Sequence, residues 1–243
     1  MSKHPGNAWV RGAFRHIVED NVAPGNLILD FGCGTGTDSL WYAQHGYRVL
    51  AYDNAPGMMT ELERKCAQEI ASGQVVPLYA DYDHFRQVLQ REARPHAIVS
   101  NFAALNHLRE LRPLFSVFAA HLEPRGQVIA NVLNPLFWRD VIHPWYWTPL
   151  LQGIRTGYIS CAGGEVSTYR HFMGPISRAA LPHFVKVGQA SLGTFLRYGS
   201  GSYDWAEPRS LSERLDVRFY RSFPLRHLGK FIFLIFRRAE ANL

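Results

Sequence analysis

The run LILDFGCGTGTDSL, residues 27–40, constrains what this chain can fold into more than any other stretch. Leu27 to Phe31 have the length and apolar content of a buried strand, with Asp30 near its end. Gly32, Gly34 and Gly36 follow at alternate positions, and a helical pattern opens after them. Glycine tolerates positive φ and carries no Cβ, so a strand, a glycine turn and a helix in that order form a place where a ligand can approach the backbone. The spacing is GxGxG, with Thr37 where GxGxxG would need a glycine, which tells against a dinucleotide pyrophosphate site.

The same strand-and-helix rhythm continues to about Val132. Strands are expected at Leu27–Phe31, Arg48–Tyr52, Val75–Tyr79, Ala97–Asn101 and Gln127–Val132, and joining them by helices makes them parallel. Between the second and third, Met58, Leu62, Cys66 and Ile70 recur near the helical period, from Pro56 to a stop at Gly73. At 243 residues, with 47% hydrophobic and 19% charged residues, the chain reads as one elaborated domain, with an N-terminal helix or cap over 1–26.

Acidic residues mark the carboxyl ends of the next two strands. Asp53 lies twenty-three residues beyond Asp30, where a carboxylate accepts hydrogen bonds from both hydroxyls of a ribose. Asp81, in LYADYDHF, follows the third strand and is placed to accept from an adenine amino group, with Met58 offering an apolar face nearby. Adenosine is the ligand this pattern implies.

From Leu27 to Val132 the chain resembles the class I S-adenosylmethionine-dependent methyltransferases: LDFGCGTG resembles their first motif, YDNAPGMM the ribose segment, YADYDHF the adenine segment and HAIVSNFAALNHL the fourth-strand segment. The resemblance implies an α/β fold, doubly wound, with a seven-stranded, mostly parallel sheet in the order 3-2-1-4-5-7-6 and helices on both faces. HFVKVGQ and KFIFLIFRR would be its last two strands. It implies S-adenosyl-L-methionine as cofactor and S-adenosyl-L-homocysteine as product. Gly32, Cys33 and Gly34 would approach the methionine portion, Asp53 the ribose, and Met58 and Asp81 the adenine, with Asp30, Gly36, Asn54 and Tyr82 also among the cofactor-binding residues. Asn101 and Phe102 would form the rim near the methyl group, and Arg11 would pair with the methionine carboxylate. The string Asn101-Phe102-Ala103-Ala104 departs from the (Asp/Asn)-Pro-Pro-(Tyr/Phe) motif of amino-methylating DNA enzymes of this fold, so base-amine methylation by that route is not expected.

After strand five the pattern breaks. NPLFWRDVIHPWYWTPLLQG is aromatic and proline-rich, and a lid-like insertion over 134–170 is expected, with Trp138, Trp145, Tyr146 and Trp147 as a substrate-binding surface. His107 and His143 are the candidate bases that would take a proton from an acceptor hydroxyl or amine. Thr168–Phe172 reads as a strand resuming the sheet, Ser177–Leu181 as a short helix after it, and Leu211–Tyr220 as a helix whose Leu211, Leu215 and Phe219 face the core.

Between residues 209 and 238, eight basic residues stand against Glu213 and Asp216, an excess equal to the +6 of the whole chain. The basicity thus belongs to one C-terminal element. With no Lys/Arg block interleaved with stacking aromatics, a small-molecule substrate is expected and nucleic acid is not, although that element keeps an RNA substrate as the alternative, beside a cofactor-binding protein that does not methylate. Cys33, Cys66 and Cys161 are too widely spaced for a disulfide framework or a zinc site, so no metal is expected. Neither a secretory signal nor an apolar run long enough to span a bilayer is visible, which makes the cytoplasm the expected location.

Overall fold

In the computed structural model, residues 5–161, 167–196 and 205–239 are described. The apolar runs become β1 (Leu27–Phe31), β2 (Arg48–Asp53), β3 (Val75–Tyr79), β4 (Ala97–Ser100) and β5 (Gln127–Leu133), all parallel. Later in the chain come a hairpin of β6 (Tyr158–Cys161) and β7 (Thr168–His171), then β8 (Phe184–Leu192) and β9 (Phe231–Arg238). The main sheet has seven strands in the order β3-β2-β1-β4-β5-β9-β8, with β9 antiparallel to both neighbours. That is the expected 3-2-1-4-5-7-6 winding, with β8 and β9 as its sixth and seventh strands.

Strands buried on both faces need helices on both sides. On one side α1 (Pro5–Asn21), α2 (Thr37–Gln44) and α3 (Pro56–Lys65) pack Phe14, Ile17, Tyr42, Met59 and Leu62 against Val49, Ala51 and Phe233. A short α4 (Ala67–Ala71) follows α3. On the other side α5 (Phe85–Leu89) and α6 (Arg112–His121) bring Phe85, Phe115 and Phe118 onto Leu29, Phe31 and Leu50. The segment after β5 holds α7 (Trp138–Val141) and α8 (Trp147–Thr156); α9 (Met173–Ala180) precedes β8, and α10 (Leu211–Phe219) precedes β9.

Four details differ from expectation. The Pro56–Gly73 helix is broken at Cys66, whose thiol turns to the Gly36 carbonyl at 3.7 Å, and Met59 rather than Met58 enters the core. Thr168–His171 does not resume the main sheet but pairs antiparallel with β6, a strand that the sequence pattern did not signal. The helix expected around Ser177 starts earlier, at Met173. In α10 Leu211 is 73% exposed, and the buried residues are Glu213 and Asp216.

Both carboxylates of α10 are buried because they hold backbone. Glu213 accepts from the N–H groups of Arg209 and Ser210 at 2.6 and 2.8 Å and completes a capping box with Ser210. Asp216 accepts from four successive N–H groups, those of Gly193, Thr194, Phe195 and Leu196, at 3.0–3.2 Å. A hydrophobic-spacing argument has no means of finding such a helix face.

Candidate active site

The site is assembled where β1, β2 and β4 end on one edge of the sheet. After Phe31 the chain turns through Gly32, Gly34 and Gly36 at φ of +75°, +54° and +71°. A Cβ on Gly36 would meet Leu62 at 2.7 Å, so the protein's own packing requires that glycine. A Cβ on Gly34 would meet nothing within 4 Å. Gly34 therefore borders open space, the clearance a ligand needs in order to lie along the backbone.

Asp53 locks this loop to the neighbouring strand. One carboxylate oxygen accepts from Gly34 N–H at 2.8 Å and the other from Ala55 N–H at 3.0 Å, while the Gly32 and Cys33 N–H groups donate to the Tyr52 carbonyl. A carboxylate oxygen can accept more than one hydrogen bond, so a half-buried Asp53 still has capacity for ribose hydroxyls. Burial and the carboxylates of Asp30 and Asp53 push the Cys33 thiol well above the usual range, which disfavours its reactive thiolate.

Beneath the loop lies a polar network that the sequence did not reveal. Asp38, in the first turn of α2 and 4% exposed, pairs with Arg11 and, at 2.9 Å, with Arg15. Asn101, at the end of β4, donates to Asp38 at 3.1 Å. The Asn101 carbonyl oxygen in turn accepts from Phe102 N–H at 2.8 Å and from Asn131 of β5 at 2.9 Å. Phe102 and Ala103 are held at φ of 50° and 61°, a strained backbone for residues with side chains, and the Arg11 guanidinium sits 4.6 Å from the Phe102 ring centroid. Asp30, fully buried beside Asp38, is pushed up to about 7 by burial first and by Asp38 second, against the 2.6 Å hydrogen bond from the Ser39 hydroxyl.

The expected cofactor residues are thus divided. Gly32, Cys33, Gly34, Asp53, Asn101 and Phe102 come together on one edge. Arg11 pairs with Asp38 and lies over the Phe102 ring. Exposed Asn54 and Met58 and half-buried Tyr82 flank the edge, whereas Asp81 accepts from the His84 backbone and ring nitrogens at 2.9 and 2.6 Å.

The segment after β5 is anchored rather than loose. Asn134 donates to the His227 and Gly229 carbonyls at 2.8 and 2.7 Å, and Trp138 Nε1 donates to Thr194 at 2.9 Å. Tyr146 is buried with its hydroxyl on the Pro135 carbonyl, and Trp147 Nε1 donates to Val141 at 2.8 Å. Asn106 ties the β4 side of the site to this segment: it donates to the Tyr169 carbonyl of β7 and accepts from Leu133 N–H at 3.0 Å. His107 is exposed, 3.3 Å from the Ser167 carbonyl, and His143 is exposed and stacked with Trp145 at 6.0 Å. Among the described residues, no group of three or more His, Cys, Asp or Glu side chains is arranged to hold a metal ion.

Open space at Gly34, the ribose-competent carboxylate of Asp53 and the fixed Asn101–Phe102 rim all fit an adenosine-bearing ligand. Residues 28–126 match a family model described as a methyltransferase domain. A stretch of 58 residues is 43% identical to the malonyl-[acyl-carrier protein] O-methyltransferase of Serratia marcescens, covering 23% of this chain and 23% of that relative. Over nearly its whole length the fold is similar to the CcbJ methyltransferase from Streptomyces caelestis, with a TM-score of 0.59, 15% identity and coverage of 97% of this chain and 96% of that one. The S-adenosylmethionine-dependent methyltransferase from Mesorhizobium loti gives a TM-score of 0.56, 17% identity and coverage of 93% and 96%. The magnesium protoporphyrin IX methyltransferase from Synechocystis, solved with bound SAH, gives 0.57, 17%, and coverage of 96% and 84%.

Residues 28–126 thus match a methyltransferase domain, and the chain as a whole shares the fold of solved S-adenosylmethionine-dependent methyltransferases.

Proposed function

We propose that the protein transfers a methyl group to an oxygen, nitrogen or carbon nucleophile of a small-molecule acceptor. The observation that carries this reading is the loop at Gly34, open to a ligand and fixed from behind by Asp53. S-adenosylmethionine, when bound, supplies a methyl already activated on a sulfonium, so the protein's work is positioning and water exclusion.

Each residue then has a physical task. The glycine turn lets the methionine portion lie against backbone, Asp53 accepts from the ribose, and Met58 with Tyr82 borders the adenine. Asn101, held from both sides by Asp38 and Asn131, keeps the rim at a fixed height beside the acceptor. Trp138 and Tyr146 keep the segment after β5 in place as a wall against solvent, an arrangement supported by their bonds to Thr194 and Pro135. Trp145 and Trp147, more than half exposed, continue the segment outward from that wall. Where the acceptor carries a proton, the exposed imidazoles of His107 and His143 are the groups to receive it.

The acceptor named for the Serratia relative makes an acidic oxygen the first class to try. The experiment is incubation with S-adenosylmethionine and a panel of carboxylic acids, phenols and amines, read by mass spectrometry. A product heavier by one methylene, formed together with S-adenosylhomocysteine, supports the reading. Cofactor that binds and survives intact with every acceptor class contradicts it.

A further inference from the structure

From Val141 to Ile154 the chain contains no Asp, Glu, Lys or Arg, although such residues make up 19% of the whole. A run of that kind normally lies inside a protein. Here Ile142, Trp145, Trp147, Leu151 and Ile154 are each more than half exposed. Trp147, Leu151 and Ile154 stand at i, i+4 and i+7 of α8 and so share one face, while Thr148, Gln152 and Arg155 occupy another. Of the ten residues of α8, only Gly153 is buried. An amphipathic helix ordinarily turns its apolar face to the core; this one turns it outward, and contiguous exposed apolar surface marks an interaction site.

The second observation lies at the end of the same helix. Thr156, Gly157 and Tyr158 line a cavity of about 220 Å³ whose other walls carry Arg109, Arg112 and Arg178, with Glu110 as the one acidic residue of the lining. Arg109 lies 5.7 Å from the Tyr158 ring centroid, and Arg112 donates to the Arg178 carbonyl at 3.4 Å. Among the described residues, none of these three guanidinium groups forms an ion pair. Guanidinium groups gathered at a concave surface suit phosphate, which they can hold by paired hydrogen bonds.

An outward apolar helix face ending in a basic cavity matches the boundary layer of an anionic bilayer. There tryptophans sit at headgroup level, aliphatic side chains enter the acyl boundary, and arginines meet lipid phosphate. No described helix is long and apolar enough to cross a membrane, so the contact would lie on the bilayer and not through it. A second copy of the chain would cover an apolar face equally well, but would not call for arginines clustered at its end. We infer that α8 and the Arg109–Arg112–Arg178 cavity dock this protein on an anionic lipid surface, where the segment after β5 would meet amphiphilic acceptors.

The test is co-sedimentation of the full chain with phosphatidylcholine vesicles, with and without phosphatidylglycerol, at low and high salt. Binding to the anionic vesicles that weakens with salt is expected, together with a loss of about tenfold in Leu151→Glu/Ile154→Glu and in Arg109→Ala/Arg178→Ala. These residues are on the surface, and matched melting temperatures will show that the variants fold. Should either variant melt early, Trp145→Phe/Trp147→Phe takes its place: it keeps vesicle binding but loses quenching by lipids brominated in the acyl chain. Absence of binding, equal binding to uncharged vesicles, or quenching unchanged by the tryptophan replacements overturns the inference. So does self-association of the wild type that the glutamate pair abolishes.

Discussion

The Asn101 carboxamide donates to the Asp38 carboxylate across 3.1 Å, joining the end of β4 to the first turn of α2. Through that bond the half-buried Arg11 and Arg15 of α1 and the buried Asp38, Asn101 and Asn131 form one chain beside the glycine loop. Removing a single member of a buried charged cluster leaves the others uncompensated. Asp38→Ala is expected to lower stability by about 3 kcal/mol, with Asp38→Asn costing less because the Asn101 contact can be kept. Urea unfolding measures both; a wild-type midpoint for Asp38→Ala would make the network incidental.

Asp30 adds a pH dependence of unusual sign. Its folded-state value of about 7 lies above the 3.8 of an unperturbed aspartate. Between those values the unfolded chain releases the proton while the folded protein retains it, so the contribution of Asp30 to stability is intact below about pH 4 and is lost as pH rises to 7. Asp30→Asn keeps an acceptor for Ser39 and removes the titration. Unfolding curves at acid and mildly alkaline pH are expected to show the wild type losing on the order of 4 kcal/mol relative to the variant across that window. A constant difference between the two proteins would contradict this.

Two glycines of one loop are expected to respond differently to alanine. Gly36→Ala drives a methyl into Leu62 and strains a left-handed residue, so it destabilises the fold by several kcal/mol. Gly34→Ala meets only backbone strain, about 1 kcal/mol, but fills the clearance for ligand. Thermal unfolding and S-adenosylhomocysteine titration of each variant separate the effects: Gly34→Ala should fold and bind poorly. Normal binding by Gly34→Ala would place the ligand elsewhere.

Asp216 couples the C-terminal helix to the segment after β5. It holds the Gly193–Leu196 turn, and that turn accepts the Trp138 indole N–H. Asp216→Asn can present only one acceptor oxygen and should cost about 1–3 kcal/mol. Altered near-ultraviolet dichroism from Trp138 should accompany that loss. Spectra and stability identical to wild type would show the turn to be self-supporting.

What the sequence disclosed and what it concealed have physical causes. The strand order was implied by the family resemblance, whereas the five parallel strands and the glycine turn after the first were legible because backbone conformation and parallel winding act through neighbouring residues. Asp38 was not, since an aspartate in a helix's first turn is an ordinary helix-start residue until Arg11 and Arg15 fold over it. Asn106 and Asp216 work on carbonyl and N–H groups of remote segments, with no local pattern to announce them. β6 pairs only with β7 and buries little, so it lacks the apolar signature of a sheet strand. Leu211 misled for the opposite reason: its spacing is helical, yet the helix is held by carboxylates.

The edge formed by Gly34 and Asp53 is proposed to bind S-adenosylmethionine. Calorimetric titration of S-adenosylhomocysteine into the wild type and Asp53→Ala reads that binding. Saturable one-to-one binding by the wild type, weakened in the variant by about 1–3 kcal/mol at matched folding, is the predicted result. Equal affinity in both proteins, or no binding by the folded wild type, would contradict it.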